Sequence, residues 1–305
     1  MSYKINIIKK DFLLKNLKNS IHVKLLDKVS KSPIFISKKT GLVYHPDILS
    51  SKKAVERWSK QIFKKKNNPK KENYTSDFPG MQARHYFIID YVRRVINLNK
   101  KTSICDFACG EGSLLIKLRE YFDLANLYGT EHSIKNIKTI KKTFTKKRYK
   151  SPKLFSYSIE DFQNKNKNLK FDVGIICWTL CNCSEPLSVV EALSKSVKKN
   201  GYLVVTESSR LLVPFKKIIG NYFNKSSRAG HYHPWHWSFN SLSNIFKIYG
   251  FELINSNRYW DEDNLLLIFK NTGKINLNKI NFDNHKKILE FLLRWYKESK
   301  QYKFK

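Results

Sequence analysis

From about Met81 onward, apolar residues recur along the chain at two alternating periods, one helical and one of two residues. Arg84–Ile96 carries its apolar positions at helical spacing, and Thr102–Phe107 follows as a short β run ending in a glycine-bearing turn. Ser113–Tyr121 resumes the helical period. Asn126–Thr130, Lys153–Ser158 and Tyr202–Thr206 read as further strands, with helices predicted over Ile134–Phe144 and Pro186–Val197. The second of these helices is predicted to stop at Lys-Lys-Asn-Gly, with Gly201 as its left-handed cap. Phe171–Trp178 (FDVGIICW) is almost wholly apolar, as a central strand buried on both faces requires. Ser241–Tyr249 reads as a helix closed by Gly250, and Phe251–Asn255 with Leu265–Lys270 as a last antiparallel hairpin. Such alternation predicts an α/β fold with a doubly wound, mostly parallel sheet over residues 81–271.

The flanks follow other patterns. Pro33–Tyr44 reads as two short strands about a Lys-Lys-Thr-Gly turn, followed by a helix over about Ser51–Lys65 and a basic, proline-interrupted loop, Lys64–Glu72. Residues 1–80 are therefore expected to form a small N-terminal module, and 272–305 a tail with one basic amphipathic helix near Asn284–Ser299. The formal charge is +33, and 48 of the 58 basic residues are lysine. Nucleic-acid readers lean on arginine for paired base contacts. A lysine excess spread over the chain fits a compositional bias as well as it fits a polyanion-binding surface. All five cysteines lie at or after Cys105, in or beside apolar segments, and read as reduced thiols of a cytoplasmic protein. No stretch approaches the roughly 18 apolar residues of a membrane span.

The chemistry sits in Ile104–Leu115, I-C-D-F-A-C-G-E-G-S-L-L. A strand delivers Asp106, the chain turns through Ala108, Gly110 and Gly112, and a helix starts at Ser113. Small residues let a ligand approach the backbone, and the helix start presents free N–H groups. The third glycine of a dinucleotide fingerprint is missing, since Leu115 stands there, which disfavours a pyrophosphate dinucleotide. Glu131, at the tip of the second strand, is placed to accept from ribose hydroxyls.

These residues resemble a class I S-adenosylmethionine-dependent methyltransferase over about 81–271, with DFACGEGSLL, YGTEHS, SIEDF, FDVGIICWTLCNCSEP and KKNGYLVVTES as the matching stretches. The resemblance implies a seven-stranded Rossmann-like sheet and the cofactor S-adenosyl-L-methionine. It also implies that Gly110 and Gly112 face the methionine end, Asp106 supports the loop, Glu131 holds the ribose, and Ile159 with Glu160 lies along the adenine. Trp178 joins this set or is core filler, and Glu160 with Asp161 serves the cofactor or caps a helix. Ala108 replaces the family's first glycine, and Asn182 stands where many relatives have histidine.

A narrower resemblance covers the flanks. SKKTGLVYHPD is similar to the second knuckle of a zinc module that precedes some methyltransferases of sugar pathways, with Ser37 and Thr40 in place of its cysteines. The module is thus expected to be metal-free. The segment HYHPWHW brings His231, His233 and His236 beside Tyr232, Trp235 and Trp237. Zinc ligands, a plain surface loop and the acceptor side of an active site are its three readings. The last is preferred because ligands of open α/β sheets bind beyond the carboxyl ends of the strands, where an imidazole can take a proton. The expected activity is methyl transfer to a small or medium acceptor, a sugar-containing metabolite among them. A nucleic-acid methyltransferase and a non-catalytic binding module are the alternatives.

Overall fold

The computed structural model describes residues 19–30, 32–46, 50, 53, 56, 79–122, 126–208, 211, 219–223, 233–257 and 264–299. The helix expected over 51–65 falls almost entirely outside them, as does His231.

Seven strands build the main sheet: β4 (Ser103–Phe107), β5 (Asn126–Thr130), β6 (Lys153–Phe155), β7 (Phe171–Cys177), β8 (Val197–Ser208), β10 (Phe251–Ser256) and β11 (Asn264–Asn271), in the order β10-β11-β8-β7-β4-β5-β6. β4 to β8 run parallel, and β11 joins β8 and β10 antiparallel, so the predicted last hairpin is present. The helices are α1 (Lys24–Ser30), α2 (Pro79–Val95), α3 (Ser113–Tyr121), α4 (Ile134–Lys146), α5 (Ile159–Lys165), α6 (Pro186–Ser196), α7 (Ile219–Phe223), α8 (Phe239–Lys247) and α9 (His285–Ser299). β7 earns its apolar sequence: Val173 and Ile175 pack against α2 and α3 on one face, while Phe171 and Ile176 enter the core on the other.

One boundary departs from the sequence reading. α6 stops at Ser196, because Val197 is already drawn into the sheet opposite Phe171. The left-handed residue is then Asn200 (φ 64°) inside β8, and Gly201 caps nothing.

A second sheet has the order β1-β2-β3-β9 (β1 Ser20–His22, β2 Phe35–Ser37, β3 Val43–Tyr44, β9 Trp235–His236). β9 belongs to the segment after β8 and pairs with β3, His236 opposite Val43. The core beneath this sheet mixes Leu26, Ile34 and Ile36 with Ile219 and Phe223 of α7 and with Leu292 and Trp295 of α9. Both flanks and the insertion therefore share one core. In the β2–β3 turn, Ser37 Oγ accepts the Thr40 N–H (3.2 Å) and Thr40 Oγ1 accepts the Leu42 N–H (3.3 Å). Hydroxyls thus close the knuckle at the positions where the resemblance implies zinc-binding cysteines. Among the described residues no group of three or more His, Cys, Asp or Glu side chains could hold a metal ion, and no helix is long and apolar enough to cross a membrane.

Candidate active site

The strand order reverses between β4 and β7, so the loops leaving their carboxyl ends diverge and open a crevice. Ligands of open α/β sheets bind at such a point.

One wall is the turn after β4. It is bolted to the end of β5: the Ala108 N–H donates to Thr130 Oγ1 (3.1 Å), the Cys109 N–H to the Thr130 carbonyl (2.9 Å), and the Gly110 N–H to Glu131 Oε2 (2.9 Å). Glu131 Oε1 accepts the Ser133 N–H at 2.8 Å, at the cap of α4. One buried carboxylate therefore fixes both the glycine turn and the next helix start, with Asn136 and His132 as its further neighbours. Asp106 is also buried, and burial together with the Glu131 carboxylate pushes its pKa up to about 8. Burial raises the Glu131 pKa as well, against the Ser133 and Gly110 N–H groups, which lower it.

The two glycines differ. Gly110 (φ 56°) would point a Cβ into open space, with nothing within 4 Å. Gly112 (φ 76°) would drive one to 2.7 Å from Ile140 Cγ1, inside the contact between α3 and α4. Only Gly110 turns its bare side outward, whereas Gly112 serves packing. Ala108 takes φ 58° without a glycine's freedom.

The opposite wall is the turn after β7. Trp178 has φ 49° and is held on several sides: its N–H donates to the Thr206 carbonyl (2.7 Å) and its indole Nε1–H to Asn264 Oδ1 (3.0 Å). Arg84 and His85 of α2 reach over its ring. His85 spans the crevice, with Nε2 3.5 Å from Ser113 Oγ at the start of α3 and Nδ1 buried without a partner among the described residues. Burial, with Lys117 and Arg84 nearby, lowers its pKa to about 4, so the ring is neutral. An unpartnered buried nitrogen on one side, an open glycine face on the other and a strand-tip carboxylate make the crevice fit a ligand with polar, hydroxylated parts. Gly110, Glu131, Trp178 and His85 are the residues that could hold it.

Beyond Trp178, the Asn182 Nδ2–H₂ donates to the Trp178 carbonyl (3.1 Å), and Asn182 Oδ1 lies 2.8 Å from His233 Nδ1. With the amide nitrogen committed to a carbonyl, Oδ1 can only accept, so His233 Nδ1 carries a proton and Nε2 is the basic nitrogen. Trp235 Nε1–H fastens the same segment to the Cys183 carbonyl at 2.7 Å. Of the two described histidines among the three singled out in the sequence, His233 meets this turn. His236 points the other way, into the small sheet's core beside His45 and Phe223. Trp235 and Trp237 are fully buried and stack on each other. Ile159 is core, and Glu160 lies in the first turn of α5, where Ser158 Oγ caps the Asp161 N–H.

Two buried groups escaped the sequence reading. Glu207, near the end of β8, accepts the Leu180 N–H through Oε1 (2.7 Å) and so anchors the turn that carries Asn182. Its Oε2 has no partner among the described residues, and burial raises its pKa to about 7. An acid ending an apolar strand was the same signal that marked Glu131. His85 had no signal, being a lone histidine on a helix.

Residues 98–262 match the model of a methyltransferase domain family, more than half of the chain. No curated protein matches. Among solved structures, the fold is similar to magnesium protoporphyrin IX methyltransferase from Synechocystis PCC 6803 with bound SAH, at 16% identity and TM-score 0.51, over 72% of this chain and 94% of that one. It is similar as well to a protein of Pyrococcus horikoshii OT3, at 13% identity and TM-score 0.51, over 64% of this chain and 93% of that one. Sequence and fold agree, and the chain belongs to the methyltransferase domain family.

Proposed function

We propose that this protein transfers the methyl group of S-adenosyl-L-methionine to a small or medium acceptor, with a sugar-containing metabolite as the class suggested by the knuckle and the His-bearing segment. His233 is its base. The observation that carries this reading is the chain from the Trp178 carbonyl through the Asn182 amide to His233 Nδ1, at the carboxyl end of β7. In the turn after β4, Gly110 and Glu131 receive the donor, the carboxylate taking the ribose hydroxyls.

When bound, the donor supplies an electrophilic methyl on a sulfonium, so no activation of the methyl is asked of the protein. What the chain must do is align the acceptor, keep water out and take one proton. Trp178 and His85 wall the crevice. Asn182 accepts from Nδ1–H and so stabilises the imidazolium that forms when the ring takes the acceptor's proton.

The acceptor is found by incubating the protein with labelled donor and fractionated cell extract and weighing the methylated product. With that acceptor, His233→Ala is expected to turn over about 10²–10⁴ more slowly while binding the donor like the parent. A rate within a fewfold of the parent would remove His233 from the reaction and leave positioning alone.

A further inference from the structure

Among the described residues, a cationic surface lies on the other half of the sheet from His233. Residues 133–158 hold eight lysines and one arginine and no acidic residue. This stretch covers α4, the following turn and the edge strand β6. On α2, α3, α6 and α9, by contrast, cations are interleaved with acids: Asp90 among the arginines of α2, Glu120 on α3, Glu191 on α6, and Glu290 with Glu298 on α9.

From Ile137 on, the helix segregates its apolar and basic residues. Ile137, Ile140 and Phe144 are buried, the last two against Leu115 and Ile116 of α3. Lys135, Lys138, Lys142 and Lys146 follow one another at spacings of three and four on the solvent side. They form a stripe about 16 Å long at the 1.5 Å rise of a helix, with Lys141 beside it and Arg148, Lys150 and Lys153 beyond it. Lys138, Lys141, Lys142 and Lys146 are exposed and have no carboxylate partner among the described residues. Lys147 does have one, Glu120 at 3.0 Å.

We propose that this face docks the phosphate backbone of a nucleic acid, independently of which acceptor the active site takes. A stripe of that length spans about five stacked nucleotides at 3.4 Å each. A membrane is the weaker occupant, because a surface helix that binds lipid inserts apolar side chains, and those of α4 are committed to the core apart from Ile134 at its first turn. Lysine point charges neutralise phosphates without reading bases, so the binding is not sequence-specific.

The test is fluorescence anisotropy with a labelled single-stranded RNA of about 16 nucleotides, at several salt concentrations. The variant Lys138→Gln/Lys141→Gln/Lys142→Gln/Lys146→Gln is compared with one that removes the same charge elsewhere on the exposed surface, Lys274→Gln/Lys286→Gln/Lys287→Gln/Lys297→Gln. The first variant should bind at least about tenfold more weakly, and its salt slope should fall by about 3, at roughly 0.7 per lost phosphate contact. The second should stay within about threefold of the parent. Circular dichroism and methyl transfer to the small acceptor should be unchanged in both. Equal losses in the two variants would mean that total charge binds RNA, and a parent that does not bind RNA ends the proposal outright. Vesicles of phosphatidylserine and phosphatidylcholine that lose the first variant while RNA keeps it would instead assign the face to a membrane.

Discussion

Gly110 and Gly112 stand two residues apart, both at positive φ, yet replacing each with alanine should damage different properties. An alanine in the left-handed region costs roughly 1–2 kcal/mol at either position. At Gly110 the new methyl meets nothing within 4 Å, so that cost is the whole effect on the free protein. At Gly112 the methyl arrives 2.7 Å from Cγ1 and 3.1 Å from Cδ1 and Cγ2 of Ile140, a fully buried side chain wedged among Leu115, Ile116 and Phe144. Overpacking of that kind adds roughly 1–3 kcal/mol. At about 2 °C per kcal/mol for a chain of this size, Gly110→Ala should lower Tm by about 2–4 °C and Gly112→Ala by about 4–10 °C. Donor affinity should rank the two the other way. The Gly110 methyl points into the crevice and should weaken binding at least about tenfold, or 1.4 kcal/mol. Gly112→Ala, once folded, should bind with a smaller loss. Calorimetric titration with S-adenosylhomocysteine at a temperature where both variants are folded, beside thermal unfolding of the free proteins, measures both quantities. Undiminished affinity in Gly110→Ala would show that the open face of the turn is not where the donor lies.

Three further substitutions test the site. Ala108→Gly removes a non-glycine residue from φ 58° and should raise stability by up to about 1 kcal/mol, read by urea unfolding, because the relief of strain exceeds the added freedom of the unfolded chain. Glu131→Gln puts an amide nitrogen, which cannot accept, opposite one of two backbone N–H groups now 2.8 and 2.9 Å from carboxylate oxygens; donor affinity should fall by roughly 1–3 kcal/mol in the same titration. Glu207 has a folded pKa raised from 4.5 to about 7, so the folded state binds a proton more tightly than the unfolded chain. Its contribution is full below pH 4.5 and is lost as pH rises towards 7, on the order of 3 kcal/mol across that window. Glu207→Gln should flatten the decline, and a parent whose stability is level from pH 4.5 to 7 would contradict the burial argument.

The main sheet was legible because its strands carry their burial in their sequence. Phe171–Cys177 is apolar at nearly every position, Gly110 marks the end of β4 at the reversal of strand order, and Glu131 marks the end of its neighbour β5. The end of α6 was misplaced because Val197 serves a helix and a strand equally well, and the sheet wins it by pairing it with Phe171. β1 and α1 were not foreseen, since Ser20–Ser30 is short and mixed and owes its shape to contacts with β2 and α7. The cluster HYHPWHW was noticed as a cluster, but strand alternation sends its members to opposite sides. Which side faces the crevice is set by the register of β9 on β3, a long-range pairing that no local pattern records.

That register gives the small sheet a role at the candidate site. His233 can meet Asn182 only if Trp235 and His236 are already paired with Tyr44 and Val43, because Pro234 is the sole residue between His233 and the strand. The His45 N–H donates to the Pro234 carbonyl at 2.9 Å and extends the pairing to the residue next to His233. β3 is supported in turn by β2, and the core under both is closed by Trp295 and Leu292 of α9. The position of the imidazole is therefore determined jointly by the N-terminal strands, the insertion after β8 and the C-terminal helix. Asn182 is fixed independently, through the Trp178 carbonyl and the Glu207 anchor of its turn. A 2.8 Å contact between two side chains supported so separately requires the small sheet and the main sheet to be held rigidly together. The Trp235 indole does this directly, with its ring in the core and its N–H on the Cys183 carbonyl, one residue beyond Asn182.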